Sequence, residues 1–133
     1  MLKANKTDLE RFTKSYIEAM LWSSTDDDGE GLDASESFDG IAPVAMKAIE
    51  ASCLAFFVKA GDLIESEPNQ TVENAGYDFF LTRAGHGCGF WDGDWPVSGD
   101  ALSAIVDDGF KYRLSEPYIG DDRLLYLCDE LDG

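Results

Sequence analysis

The chain has 133 residues, with 27 Asp and Glu against 10 Lys and Arg and a formal net charge of −17, which excludes direct binding to nucleic acid or an anionic membrane and favours capture by a basic surface. Its hydrophobic content of 44% excludes a disordered polyanion, which would lack the apolar area to offset chain entropy. The length suits one domain, residues 1–133, around a single core.

No apolar run reaches about 18 residues, and the start MLKANKTDLERF runs straight into a charged amphipathic pattern rather than a signal-peptide hydrophobic region. Cys53, Cys88 and Cys128 are too few and too scattered for a secreted disulfide scaffold. A soluble cytoplasmic protein with reduced thiols is expected. The charge is uneven: residues 1–25 hold Lys3, Lys6, Arg11 and Lys14 against Asp8, Glu10 and Glu18, so the excess belongs to the remainder.

Thr7-Asp-Leu-Glu10 has the form of a capping box and places a helix start there. Leu9, Phe12, Tyr16 and Met20, joined by Ile17 and Leu21, recur at helical spacing through about Trp22 and form one apolar face. Ser23 to Asp39 then reads as a loop, with seven acids, no base, and Gly29 and Gly31. It is either a solvated segment or the densest part of an anionic recognition surface.

Pro43 suits the first turn of a second helix, with Met46, Ile49, Cys53, Phe56 and Phe57 as its buried stripe and Gly61 as its left-handed stop. Cys53 reads as a small, inert core residue. Asp62 to Gly76 reads as an irregular connection, with room for one helical turn at Leu63 and Ile64. Tyr77 to Thr82 and Gly89 to Trp91 are rich in strand formers, and Ala84 to Gly87 can reverse the chain between them as a hairpin. Ser98 to Asp108 reads as a third helix stopped by Gly109. Phe110, Tyr112 and Leu114 alternate as a strand, and a last strand spans Leu124 to Cys128 after a turn at Gly120-Asp121-Asp122. The expected fold class is α+β: two N-terminal helices, a hairpin, a third helix and a C-terminal antiparallel strand pair in one sheet.

The segment from Gly85 to Trp95 concentrates the chain's one His, His86, with Cys88, Asp92, Asp94, two Trp and four Gly. A phosphate cradle needs a glycine loop that leads from a strand into a helix, which a hairpin does not provide. As metal ligands, His86, Cys88, Asp92 and Asp94 match no zinc spacing. For catalysis, Cys88 beside His86 would need a positive field to lower its thiol pKa, whereas the field here is negative. The architectural reading has the glycines permit a tight reversal while Phe90 and Trp91 supply core or core-edge area. Arg83 and Lys59 read as partners of neighbouring acids.

Four stretches carry a resemblance: Ala19-Met-Leu-Trp-Ser-Ser-Thr-Asp26, Asp39-Gly-Ile-Ala-Pro43, Tyr77-Asp-Phe-Phe-Leu-Thr-Arg-Ala-Gly-His-Gly-Cys-Gly-Phe-Trp-Asp92, and Tyr118-Ile-Gly-Asp-Asp122. Over nearly its full length the chain resembles a family of small acidic proteins of unknown function encoded by bacteriophages, plasmids and other mobile elements. Tyr77 stands where a His is common in that family, Ala84 where Asn is common, and Gly93 where Arg or Lys often follows the Asp. The first of these weakens a paired-histidine mechanism. The resemblance implies a mobile-element setting and no particular chemistry.

In that setting a compact polyanion suggests a non-enzymatic inhibitor that mimics DNA and occupies the nucleic-acid-binding site of a basic host defence or DNA-processing protein. A globule of this length is about 36 Å across, over which duplex DNA presents roughly 21 phosphates, comparable with the net charge. The candidate phosphate surrogates are Asp26, Asp27, Asp28, Glu30, Asp33, Glu36, Asp107, Asp108, Asp121 and Asp122. No cofactor or metal is expected under this reading. The alternatives are a small enzyme or ligand- or metal-binding protein that uses the His86 and Cys88 turn, and a protein whose acidity serves solubility only.

Overall fold

The computed structural model describes residues 6–23, 40–85, 89–91, 93–111 and 117–127. They form α1 (Lys6–Ser23), β1 (Gly40–Ile41), α2 (Pro43–Ser66), α3 (Val72–Arg83), α4 (Gly99–Gly109), β2 (Pro117–Ile119) and β3 (Leu124–Leu127). The fold is thus a mixture of helix and sheet, as expected, but several of its parts are rearranged.

α1 buries Phe12, Tyr16 and Met20 of the anticipated stripe, with Ala19 beside them, while Leu9, Ile17 and Leu21 are half-buried. It already includes Lys6, so Thr7 lies inside the helix rather than ahead of its first turn. In α2 Pro43 occupies the first turn, and Ile49, Cys53, Phe56 and Phe57 are buried, whereas Met46, expected in the same stripe, is only half-buried. Gly61 is not the stop, for the helix runs through it to Ser66. The stop comes from Pro68, whose ring disfavours helical backbone in the residue before it; Glu67 is accordingly extended, at φ −84° and ψ 115°. The irregular connection is therefore short, and Asn69 turns it through a left-handed φ of 66°.

The expected hairpin over Tyr77 to Trp91 is not formed. Tyr77 to Thr82 lies in α3, whose first turn is capped by the Thr71 hydroxyl accepting from the Asn74 amide. Adjacent Phe79 and Phe80 are both buried, because rings reach α3 from two directions. Phe56 of α2 stacks on Phe79 at 4.1 Å, and Tyr16 of α1 meets Phe80 edge-on at 5.3 Å. This burial outweighs the strand preference of the segment, a preference that reports packing context more than backbone conformation. Gly89, Phe90 and Trp91 form bends and turns.

Gly76 sets the distance between α1 and α3. A methyl there would overlap the Phe12 carbonyl oxygen, so only glycine lets the two backbones approach this closely. The core lies where the four helices meet, with Phe56 at its centre. Around that ring are Phe12, Phe79, Phe90 and Phe110, with centroids 6.0, 4.1, 5.8 and 5.7 Å away. Each fully buried ring contributes about 1.5–3 kcal/mol from the area removed from water.

The three strands take the order β1-β3-β2. β1 is parallel to β3, with Gly40 opposite Leu124, and β2 is antiparallel to it, with Tyr118 opposite Tyr126. The β2–β3 turn falls at Gly120-Asp121-Asp122 as expected, and β3 matches the last expected strand up to Leu127. Its hairpin partner is Pro117–Ile119 rather than the alternating stretch from Phe110, for Phe110 caps the end of α4 with its amide bonded to the Val106 carbonyl. Tyr112, Leu114 and Cys128 lie outside the described residues. Leu125 and Leu127 face the core, and the Ala42 amide bonds to the Leu125 carbonyl at 2.9 Å, which ties the start of α2 to the sheet.

Candidate functional site

Of the ten candidate phosphate surrogates, Asp26, Asp27, Asp28, Glu30, Asp33 and Glu36 lie outside the described residues. The other four fall in two pairs on different elements. Asp107 and Asp108 are exposed in the last turn of α4, and Lys111 lies 3.5 Å from Asp107. That turn holds no base, although the carbonyl-rich end of a helix favours cations and disfavours carboxylates by a few tenths of a kcal/mol to about 1 kcal/mol each.

Asp121 and Asp122 are exposed in the β2–β3 turn. Asp122 is already engaged: it accepts from the Tyr126 hydroxyl and from the Leu124 amide. These two bonds, that from Tyr126 foremost, hold its carboxyl below the usual range. No hydrogen bond or ion pair among the described residues joins the two pairs. Nearly all described carboxylates face solvent wholly or in part, and Glu67 is the buried one.

His86, Cys88 and Asp92 also lie outside the described residues. Among those described, no three His, Cys, Asp or Glu side chains gather as metal ligands would. The flanks of the segment are architectural. Phe90 is buried, and its amide bonds to the Thr82 hydroxyl at 3.0 Å, a contact that needs a close approach at Gly89 (φ 155°), where a methyl would overlap that same hydroxyl. Trp91 does not serve the core, being exposed. Trp95 takes that place, edge-on to Phe90 at 5.3 Å, with its indole N–H donating to Asp78 at 2.7 Å.

Arg83 departs most from expectation, being only 2% exposed and paired with no acid among the described residues. Its Nε donates to the Phe110 carbonyl at 3.0 Å and its Nη1 to the Tyr16 hydroxyl at 3.1 Å. The guanidinium carbon lies 5.5 and 5.7 Å from the Phe79 and Phe110 ring centroids. A buried cation is costly to desolvate; here two acceptors and two ring faces offset that cost. Lys59 lies 5.8 Å from the Phe110 ring rather than against an acid.

Glu67 also escapes sequence reasoning. One carboxylate oxygen accepts from the amides of Val97 and Ser98, both at 2.9 Å, and from the Ser98 hydroxyl at 3.1 Å. The carboxylate therefore fixes the two residues that lead into α4, Val97 and the N-cap Ser98, from the end of α2. Helical spacing could have flagged Arg83, four residues after Phe79 and seven after Gly76. Nothing local could have flagged Glu67, which stands before a proline in what reads as a loop.

A groove of about 710 Å³ lies between α1 and α2. Its apolar walls include Leu9 and Ile17 on one side and Met46 and Leu54 on the other. Comparisons with protein-family models, curated proteins and solved structures find no match. No helix among the described residues is long and apolar enough to cross a membrane.

Proposed function

We propose that this protein is an acidic inhibitor, encoded by a mobile element, that presents carboxylates as phosphate surrogates to the nucleic-acid-binding site of a basic host protein. The observation that carries the reading is the exposed pair Asp107 and Asp108 at the end of α4. Helix electrostatics disfavours acids at that position; Lys111 pairs with Asp107 from just beyond the helix, and the remaining stabilisation is sought in a basic partner surface. Asp121, exposed in the β2–β3 turn, supplies a second anionic position on a rigid hairpin, while Asp122 shapes the turn that presents it. A net charge of −17 steers association with a basic cleft and makes it sensitive to ionic strength.

The test is capture from a host lysate followed by salt titration of the purified complex. The expected result is a nucleic-acid-binding protein whose affinity falls with added salt, is displaced by duplex DNA, and weakens when Asp107, Asp108 and Asp121 are changed to Lys. Failure to capture such a protein, or a complex indifferent to salt and to those reversals, overturns the reading.

A further inference from the structure

The groove side of α1 carries two neighbouring ridges of residues four apart. One is Leu9, Thr13 and Ile17, which is largely apolar; the other is Lys6, Glu10, Lys14 and Glu18, in which the sign of the charge alternates. Both line the groove against α2. The described ion pairs are Arg11 with Asp8, Arg11 with Glu73, and Lys111 with Asp107, so none of the four residues of the charged ridge has an ionic partner among the described residues.

The alternating ridge is complementary to itself. When a second copy is turned about a two-fold axis between Glu10 and Lys14, Lys6 faces Glu18 of the other copy and Glu10 faces its Lys14, with the reciprocal pairs generated by symmetry. Rows of residues four apart are the ridges that interlock when two helices cross at about −50°.

Charge also selects the occupant. α1 and α2 together hold five Lys or Arg and six Asp or Glu, so all but one of the seventeen net negative charges lie elsewhere in the chain. The charged residues that line the groove are themselves nearly balanced, Lys6 and Lys14 against Glu10, Glu18 and Glu50, which keeps local repulsion of a second copy small. α2 also carries exposed apolar area: Val44, Leu54 and Val58 are 52%, 43% and 63% exposed. A helix apolar on its outer as well as its inner side is normally covered on both.

We infer that two copies of this chain associate through the α1–α2 groove as a symmetric dimer, with the two α1 helices antiparallel and the charged ridges paired across the axis. The association uses none of Asp107, Asp108 and Asp121, which lie on α4 and in the β2–β3 turn.

Sedimentation equilibrium on the full chain tests this, comparing wild type with Glu10→Lys, Lys14→Glu and the double variant. Each single change places like charges opposite one another twice per dimer and should weaken association by about tenfold or more. The double variant exchanges the signs and should restore association to near the wild-type value. Leu54→Glu should give a monomer, and circular dichroism checks that the fold is kept in every case. A wild-type protein that stays monomeric across the micromolar range overturns the inference. So does a dimer that tolerates the single changes, or one that the double variant fails to rescue.

Discussion

Where α1 meets α3, the Phe12 carbonyl lies against Gly76 with no room for a methyl; where α1 meets α2, Leu9 and Ile17 look across an open groove to Met46 and Leu54. One helix thus has a buried side packed to the limit of its backbone and a groove side with space to spare. The buried side holds Phe12, Tyr16 and Met20, each fully enclosed, and it specifies the fold. The groove side carries charges of alternating sign that have no ionic partner among the described residues, and it specifies little within one chain. Interiors are packed as densely as organic crystals, so an unfilled apolar flank beside such an interior is informative about what else the molecule meets.

The difference is sharpest on truncation. Phe12→Ala should cost about 3–5 kcal/mol, the range for removing a buried aromatic ring, because that ring touches Phe56, Phe57 and Phe79 at once. Leu54→Ala, at the groove edge, should change stability by only ~0.5 kcal/mol. Urea denaturation of dilute protein measures both. Similar midpoints for the two variants would mean that the groove is packed as well as the core.

A smaller but more specific contrast comes from adding atoms. Gly76→Ala should cost about 1–3 kcal/mol through overpacking, since the new methyl meets backbone that cannot move aside without separating α1 from α3. Ala51→Leu adds three carbons on the groove side, where Ala51 is exposed, and should stay within ~0.5 kcal/mol of wild type. If the larger addition proves the more harmful, the close approach at Gly76 does not limit packing.

The two sides also differed in how far they could be read from the sequence. The apolar stripe of α1 was legible from spacing alone, as was the start of α2 at Pro43, because each depends on residues within a few positions of one another. α3 was not, since Tyr77 to Thr82 favours a strand locally and becomes helical only because Tyr16 and Phe56 arrive from distant segments. The stop at Gly61 failed for a related reason: a glycine ends a helix only when left-handed backbone there is useful, and Pro68 ends this one instead. Among the candidate surrogates, Asp107 and Asp108 fall at the end of the helix that the sequence places from Ser98 to Asp108, and both are exposed. The role of Asp122 in shaping its turn depends on Tyr126, and that pairing required the hairpin register.

Alkaline titration reads the buried side of α1 most directly. Burial pushes the Tyr16 hydroxyl up to about 12, against the opposing effect of the Arg83 cation, and pushes the Cys53 thiol up to about 12 as well. Both groups are neutral when protonated, so their ordinary ionisation begins in the unfolded chain, near pH 9 for the thiol and pH 10 for the phenol. Between those values and pH 12 the fold retains protons that the unfolded chain has released, and stability falls as pH rises. Below about pH 8 the slope from both groups is small. The loss should be on the order of 1–2 kcal/mol by pH 10 and should grow toward pH 12, measured as the denaturation midpoint against pH. Cys53→Ala should remove the part of the slope that begins near pH 9, and Tyr16→Phe the part that begins near pH 10, whatever either change does to stability at neutral pH. If the double variant keeps the full alkaline slope, the titrating groups lie elsewhere and the close packing on this side of α1 does not control the protonation of Tyr16 and Cys53.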